Sequence, residues 1–181
     1  MIFNKVLNRF FKFYFFLKSI MICLKILFKS LGKDLLILDL DNTVVLTAEW
    51  LHKNNSTNLE LAYEKASLNE PLMRHLETQY SKEQFYYFIV SARTYHNYRL
   101  TKKWIFENSE NTLPLEFILV NSAKRKLLIY QIFRFKKLVI FDDLTFNHEN
   151  LPIKKYIKIE EIIRKKKNIV LFDNEFIKQL K

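Results

Sequence analysis

The sequence is poor in the residues that build covalent or metal frameworks. A single cysteine, Cys23, stands among 181 residues. That excludes an intramolecular disulfide network and a cysteine-based zinc site, and it fits a reducing, cytoplasmic compartment. One glycine and three prolines leave tight turns to Asn, Asp, Ser and Lys. The four histidines (His52, His75, His96, His148) show no metal-ligand spacing and read as surface or structural residues. Acids are missing altogether from residues 1–33. Long apolar runs are missing there too: between Lys18 and Lys25 only six residues pass without a cation. A membrane-spanning helix needs about 20 mostly apolar residues, and a cleaved signal peptide needs an unbroken apolar stretch with a small-residue cleavage site. Neither pattern is present.

What is there is a chain that is 49% hydrophobic, long enough for one domain with a real core. Its charge is uneven. Residues 1–33 hold seven of the 30 basic side chains and account for +7 of the net +11; the remaining 148 residues carry +4. The segment "MIFNKVLNRFFKFYFFLKSIMICLKILFKSLG" has no helix breaker before Gly32, so it reads as a basic amphipathic helical extension. Lys5, Arg9 and Lys12 fall on one side of such a helix and Lys18, Lys25 and Lys29 on another, which divides it into two amphipathic pieces. Two readings stay open: an interfacial helix on an anionic membrane or partner, or a helix packed on its own domain.

From residue 34 onward the periodicity changes. "DLLILDL", "FYYFIV" (85–90), "LEFILV" (115–120) and "KKLVIF" (136–141) read as buried strands. Residues 46–79 read as helical with a loop near "NNSTN", and Asn69 caps a helix whose first turn holds Pro71. Residues 94–108 and 122–133 read as helices, the second capped by Ser122. Further on, "YIKI" reads as a short strand and "EEIIRKKK" as a short helix. The run Arg164 to Lys167 is a solvated helix end or, more weakly, a contact to a nucleic-acid backbone. Buried strands alternating with helices predict an α/β fold, a Rossmann-like three-layer parallel sheet with helices on both faces.

In such sheets ligands sit at the carboxyl ends of the strands. The polar residues gather where that rule points. The first strand ends in Asp39, Asp41 and Thr43, the second in Ser91, and the fourth in Asp142 and Asp143, while "NSAKRK" places lysines ahead of the fourth. Residues i and i+2 of a strand share a face, so Asp39 and Asp41 can address one substrate atom. One carboxylate can attack phosphorus, and the other can protonate the leaving oxygen and then activate water. A third acid calls for a cation to offset the repulsion, and oxygen-only ligands point to Mg²⁺. Ser91 and a lysine can hold the transferring phosphoryl oxygens.

The series "LLILDLDNTVVL … FYYFIVSAR … NSAKRK … KLVIFDD" resembles, in order, the four motifs of the haloacid-dehalogenase (HAD) superfamily of phosphohydrolases, over residues 35 to about 147. The resemblance implies a HAD-like hydrolase domain over residues 34–181 and a Mg²⁺-dependent phosphatase working through an aspartyl-phosphate. It implies Asp39 as nucleophile and Asp41 as general acid/base. Thr43 would shape the turn and, with Ser91 and Lys124, face the phosphate. Asp39, Asp41, Asp142 and Asp143 would surround the metal. Lys124 is preferred to Lys126 because Leu127 and Leu128 behind it look like a packing face. "SARTYHNYRLTKKWI" is similar to the same region of capless phosphatases, polynucleotide phosphatases among them, so Arg93 either touches phosphate or pairs structurally.

The gaps of 52 positions from Asp39 to Ser91 and 33 from Ser91 to Lys124 leave no room for a large lid, only for a small helical one. An open site admits a macromolecular phosphorylated substrate. Two other functions fit the same sequence: a phosphotransferase of this fold, and a non-catalytic HAD-like module that binds a membrane or partner through residues 1–33. Peripheral membrane attachment goes with the second.

Overall fold

A computed structural model of the chain describes residues 2–108, 114–146 and 154–180, without the side chains of residues 2–9 and 12. His148 lies outside the described residues. Among them, helix α1 (Ile2–Lys29) is followed by strand β1 (Asp34–Leu38). Three short helices, α2 (Thr47–Lys53), α3 (Leu59–Lys65) and α4 (Glu70–Gln79), lead to β2 (Phe85–Ser91). Helix α5 (Tyr98–Glu107), β3 (Phe117–Leu119), α6 (Ala123–Ile132) and β4 (Leu138–Phe141) follow. A two-residue antiparallel pair, β5 (Thr145–Phe146) with β6 (Lys154–Lys155), precedes α7 (Ile157–Arg164), β7 (Ile169–Phe172) and α8 (Asn174–Gln179).

The main sheet runs β3-β2-β1-β4-β7 with every neighbouring pair parallel. Alternation along β1 divides the core. Leu36 and Leu38 join Leu72, Leu76, Trp104 and Phe141 on one face; Leu35 and Ile37 join Phe88, Ile129, Phe133 and Ile163 on the other. The helices therefore cover both faces, as the buried strand pattern predicts. Register fixes the functional edge. Leu38 of β1 lies opposite Phe141 of β4, so the next residues, Asp39 and Asp142, emerge side by side.

Local chemistry explains most boundaries. Asn58, Asn69 and Asp173 each accept a backbone N–H at the start of α3, α4 and α8. Ser122 stands at the start of α6 without such a side-chain bond, unlike the cap expected there. The segment "YIKI" is not a strand: it belongs to Tyr156 and the first turn of α7, where Ile159 and Ile163 lie on one buried face. The fifth strand is instead "IVLF" at the sheet edge. Arg164 pairs with Glu160 and Asp173, and Lys165 and Lys167 are exposed, as a solvated helix end requires.

Helix α1 is one continuous 28-residue helix, ended before Gly32, whose φ is 74°. It packs on its own domain. Phe15 stacks on Tyr95 with ring centroids 5.0 Å apart, while Cys23 and Ile26 are buried in the core of the opposite sheet face. It so covers β3, an edge strand whose free backbone would otherwise invite another strand. Burial pushes the Cys23 thiol up to about 12, which leaves it inert as a nucleophile. Lys25 and Lys29 both reach Glu116 at 3.0 Å, just ahead of β3. No helix among the described residues is long and apolar enough to cross a membrane.

Glu116 makes this attachment pH-sensitive. Burial alone would raise its pKa, but the hydrogen bonds and charges of Lys29 and Lys25 lower it below 4.5. A carboxylate with a depressed folded-state pKa stabilises above its unfolded pKa and loses that stabilisation as pH falls through the folded value. Glu116→Gln is expected to lower stability by about 0.5–1 kcal/mol at neutral pH. Urea midpoints of parent and variant should converge when the pH falls well below 4.5; a gap that persists there would contradict this origin.

Candidate active site

The chain leaves β1 through a tight turn. Val44 and Val45 donate backbone N–H groups to Leu40 at 3.0 and 2.8 Å, and Asn42 takes a left-handed φ of 59°. Asn reaches that conformation cheaply. The turn throws Asp39 and Asp41 to the same side, and both line one cavity of about 190 Å³ at the carboxyl edge of the sheet. Arg93, Lys126 and Asp142 complete its polar wall; Leu59, Tyr63, Phe146 and Tyr156 supply apolar and aromatic surface.

Asp39 and Asp142 share a cation. The Lys126 ammonium lies 2.8 Å from Asp39 Oδ1 and 2.7 Å from Asp142 Oδ2, and all three side chains are buried. The Tyr130 hydroxyl, one helical turn after Lys126, also donates to Asp142 Oδ2 at 3.4 Å. Asp142 Oδ1 accepts the Leu144 backbone N–H at 3.0 Å. Leu144 is held at a φ of 51°, uncommon and strained for a leucine.

The electrostatics follow from burial. Desolvation raises the Asp39 pKa well above the ordinary value; Lys126 opposes the rise, and Asp142, Asp143 and Asp41 add to it. Burial and the neighbouring Asp142 push Asp143 up to about 7. Burial works against the charge of Lys126, but Asp142 and Asp39 outweigh it and hold its pKa well above that of a free lysine. Three carboxylates face one ammonium, so the ionised cluster is short of positive charge.

That deficit suits a divalent cation. One oxygen from each of Asp39, Asp142 and Asp143 lies within 4.8 Å of the others. The donors are all hard oxygens, with no thiolate or imidazole among them. The residues present therefore fit a divalent metal.

Asp41 has a different partner. Arg93 Nε donates to its Oδ2 at 2.9 Å and Arg93 Nη2 to its Oδ1 at 2.6 Å, a two-pronged grip that fixes the carboxylate plane. Arg93 is itself fixed: Nη1 donates to Thr101 Oγ1 at 3.2 Å, and its guanidinium carbon lies 3.8 Å from the centroid of the Tyr63 ring. Of the two expectations for Arg93, the structure shows the ion pair.

The other sequence-predicted residues divide. Lys124 is exposed, and Lys126 occupies the place expected for it. The buried stripe of α6 runs through Ala123, Lys126, Ile129 and Tyr130, whereas Leu128, expected to pack, is exposed. Thr43 is fully buried behind the cavity, where its Oγ1 accepts the Asp143 N–H at 3.1 Å; it joins the two acid-bearing loops and does not face the cavity as expected. Ser91 is also fully buried, and its Oγ accepts the Arg93 N–H at 3.2 Å. The cavity wall there belongs to Ala92, Arg93 and Thr94. Asp143 accepts a hydrogen bond from Thr145 and belongs to the acid cluster with Asp39 and Asp142, but it does not line the cavity that they share. Sequence reasoning missed Tyr63, Tyr130 and Tyr156. Only Tyr130 carried a readable signal, its i+4 spacing from Lys126.

In comparisons with known proteins, the chain matches no family profile and no curated sequence. Among solved structures, a chain from the Pnkp1/Rnl/Hen1 complex superposes with a TM-score of 0.48 at 16% identity, covering 78% of this chain and 46% of that one. This chain thus spans less than half the length of that neighbour.

Two predictions test the site. Lys126→Ala removes the ammonium shared by Asp39 and Asp142 and is expected to cost about 3 kcal/mol of stability. Lys124→Ala should change it by less than about 0.5 kcal/mol. Equal effects in chemical denaturation would refute the placement of Lys126. Second, Mg²⁺ at about a hundred times its Kd should stabilise the parent by about 2.7 kcal/mol in thermal unfolding. Asp142→Asn should abolish that increment; an undiminished shift in the variant would place the cation elsewhere.

Proposed function

We propose that the chain is a Mg²⁺-dependent phosphohydrolase of the HAD type, with residues 34–181 carrying the chemistry. One observation supports this most. Asp39, Asp41, Asp142 and Lys126 converge on a single cavity at the carboxyl edge of a parallel sheet, in the chain order of the motifs they resemble.

In this reading Asp39 is the nucleophile. One of its oxygens forms a bond to phosphorus as the phosphorus–oxygen ester bond breaks, leaving a phosphoryl group on Asp39. Asp41 gives a proton to the departing oxygen. It then takes a proton from water, whose oxygen attacks the phosphoryl group and frees Asp39 and inorganic phosphate. Arg93 orients Asp41 for both transfers, with Tyr63 and Thr101 holding Arg93. Lys126 balances negative charge around Asp39 and the phosphoryl oxygens. Ser91 acts from behind, by fixing the turn that carries Arg93. Asp39, Asp142 and Asp143 would hold Mg²⁺, which when bound would supply positive charge against the negative charge of a phosphate among carboxylates.

The cavity is small, and helices α2 and α3 pack beside it with Leu59 and Tyr63 at its wall. Among the described residues no large lid covers it. The phosphate enters, and the rest of the substrate stays at the mouth against Phe146 and Tyr156, whose rings stack 4.5 Å apart.

Hydrolysis of para-nitrophenyl phosphate with Mg²⁺ tests the proposal. The parent should turn over, and Asp39→Asn should fall to background. Asp41→Asn should lose about 10²–10⁴-fold in kcat. Equal turnover by parent and Asp39→Asn would overturn the assignment.

A further inference from the structure

Helix α1 has two apolar sides, and only one of them is covered. Phe15, Cys23 and Ile26 face the domain and are buried. On the outer side Phe10, Phe13, Leu17, Met21, Leu24 and Phe28 are each 45–74% exposed. At 3.6 residues per turn these six fall within a stripe about 80° wide and about 27 Å long. The lysine positions suggest two amphipathic pieces, but the exposed apolar residues follow one unbroken line. Large apolar side chains left contiguous on a surface mark a binding face.

The charge beside the stripe says what covers it. Residues 1–33 carry seven cations and no acid. Along one flank, the Lys18 ammonium lies 3.7 Å from the centroid of the Tyr98 ring. Lys25 and Lys29 share the single carboxylate of Glu116, so that flank keeps a net positive charge. Two copies of the helix placed stripe to stripe would bring lysines near lysines with no helix acid to separate them. A sheet of anionic headgroups offers the opposite charge along the whole length, and acyl chains accept the phenylalanines. No helix among the described residues is long and apolar enough to cross a bilayer; an apolar stripe along one side with cations beside it suits the surface plane. Beside the stripe, between α1 and α6, a mostly apolar cavity of about 400 Å³ is lined by Phe13, Phe16, Leu128 and Ile132. It extends the apolar face onto α6.

We propose that α1 lies on the surface of an anionic lipid bilayer, its outer stripe among the acyl chains and its lysines at the headgroups, and so attaches the domain to a membrane. This is independent of the phosphohydrolase reading. Flotation of the full chain tests it, with vesicles of phosphatidylcholine alone and with about 30% phosphatidylserine added. The parent should float with the anionic vesicles, float little with the neutral ones, and bind less as salt rises. A quadruple variant, Leu17→Gln, Met21→Gln, Leu24→Gln and Phe28→Gln, should partition at least about tenfold less with unchanged circular dichroism. Should the quadruple variant not fold, Phe28→Gln alone and the lipid dependence of the parent decide. Equal flotation with both vesicles, no flotation with either, or undiminished binding of a folded variant overturns the proposal. A parent dimer that the variant dissolves, with no vesicle binding, assigns the stripe to a second copy instead.

Discussion

The site depends on one buried ammonium. Lys126 sits between Asp39 and Asp142, which the register of β1 and β4 brings side by side. Without a cation there, two buried carboxylates would have to neutralise by taking up protons. With it, they are held in place, but Asp143 lies close behind and leaves the cluster deficient in positive charge. The surrounding chain is arranged to keep this unfavourable group together. Thr43 receives the Asp143 N–H and so joins the loop after β1 to the loop after β4. Asn69 donates to the Thr43 carbonyl at 2.9 Å and ties the same loop to α4. Leu144 accepts a left-handed backbone, fixed by its own burial and by the Asp142 carboxylate. A strained backbone of this kind persists only where the surrounding structure holds it in place.

Two aspartates two residues apart receive opposite surroundings. Asp39 is buried beside an ammonium and other acids. Asp41 keeps 23% of its side chain exposed and is gripped in the plane of an arginine. Alternation along the strand alone cannot create this difference, because it puts both on one side. It comes from what reaches them: α6 brings Lys126 to Asp39, and the turn after β2 brings Arg93 to Asp41. In the proposed reading, these distinct environments would let two identical side chains take distinct roles.

The parts legible in sequence were those set by a single strand. Four buried runs marked four strands of the parallel sheet, and the two that end in acids marked the edge where Asp39, Asp41, Asp142 and Asp143 gather. The parts that stayed hidden depend on which way a helix is turned. In α6 the residues are nearly as apolar on one side as on the other, so "LL" misled toward Lys124; only packing shows that the buried line passes through Lys126. Thr43 and Ser91 carry hydroxyls in suitable places, yet both bond to backbone behind the cavity. Tyr63 reaches Arg93 from a helix 30 residues earlier, a contact no local pattern encodes. At the end of the chain, β-branched "YIKI" has the composition of a strand, but Ile159 and Ile163 pair one helical turn apart on the sheet and decide for α7.

Helix α1 shows how one segment can meet two demands at once. Its inner side supplies Phe15, Cys23 and Ile26 to cores on opposite sheet faces, which is possible because it crosses the edge strand β3 and does not lie on one face alone. That position closes the exposed backbone of β3. Lys25 and Lys29 converge on Glu116 and fix how the helix is rotated about its axis. Once that rotation is fixed, the side opposite Ile26 must point outward. Outward residues that served only solubility would be polar; here they are phenylalanine, leucine and methionine for five turns. The same ion pairs that seal the domain therefore also aim the apolar stripe away from it. A change at Glu116 acts on both, because a helix free to roll could bury the stripe in place of the cations.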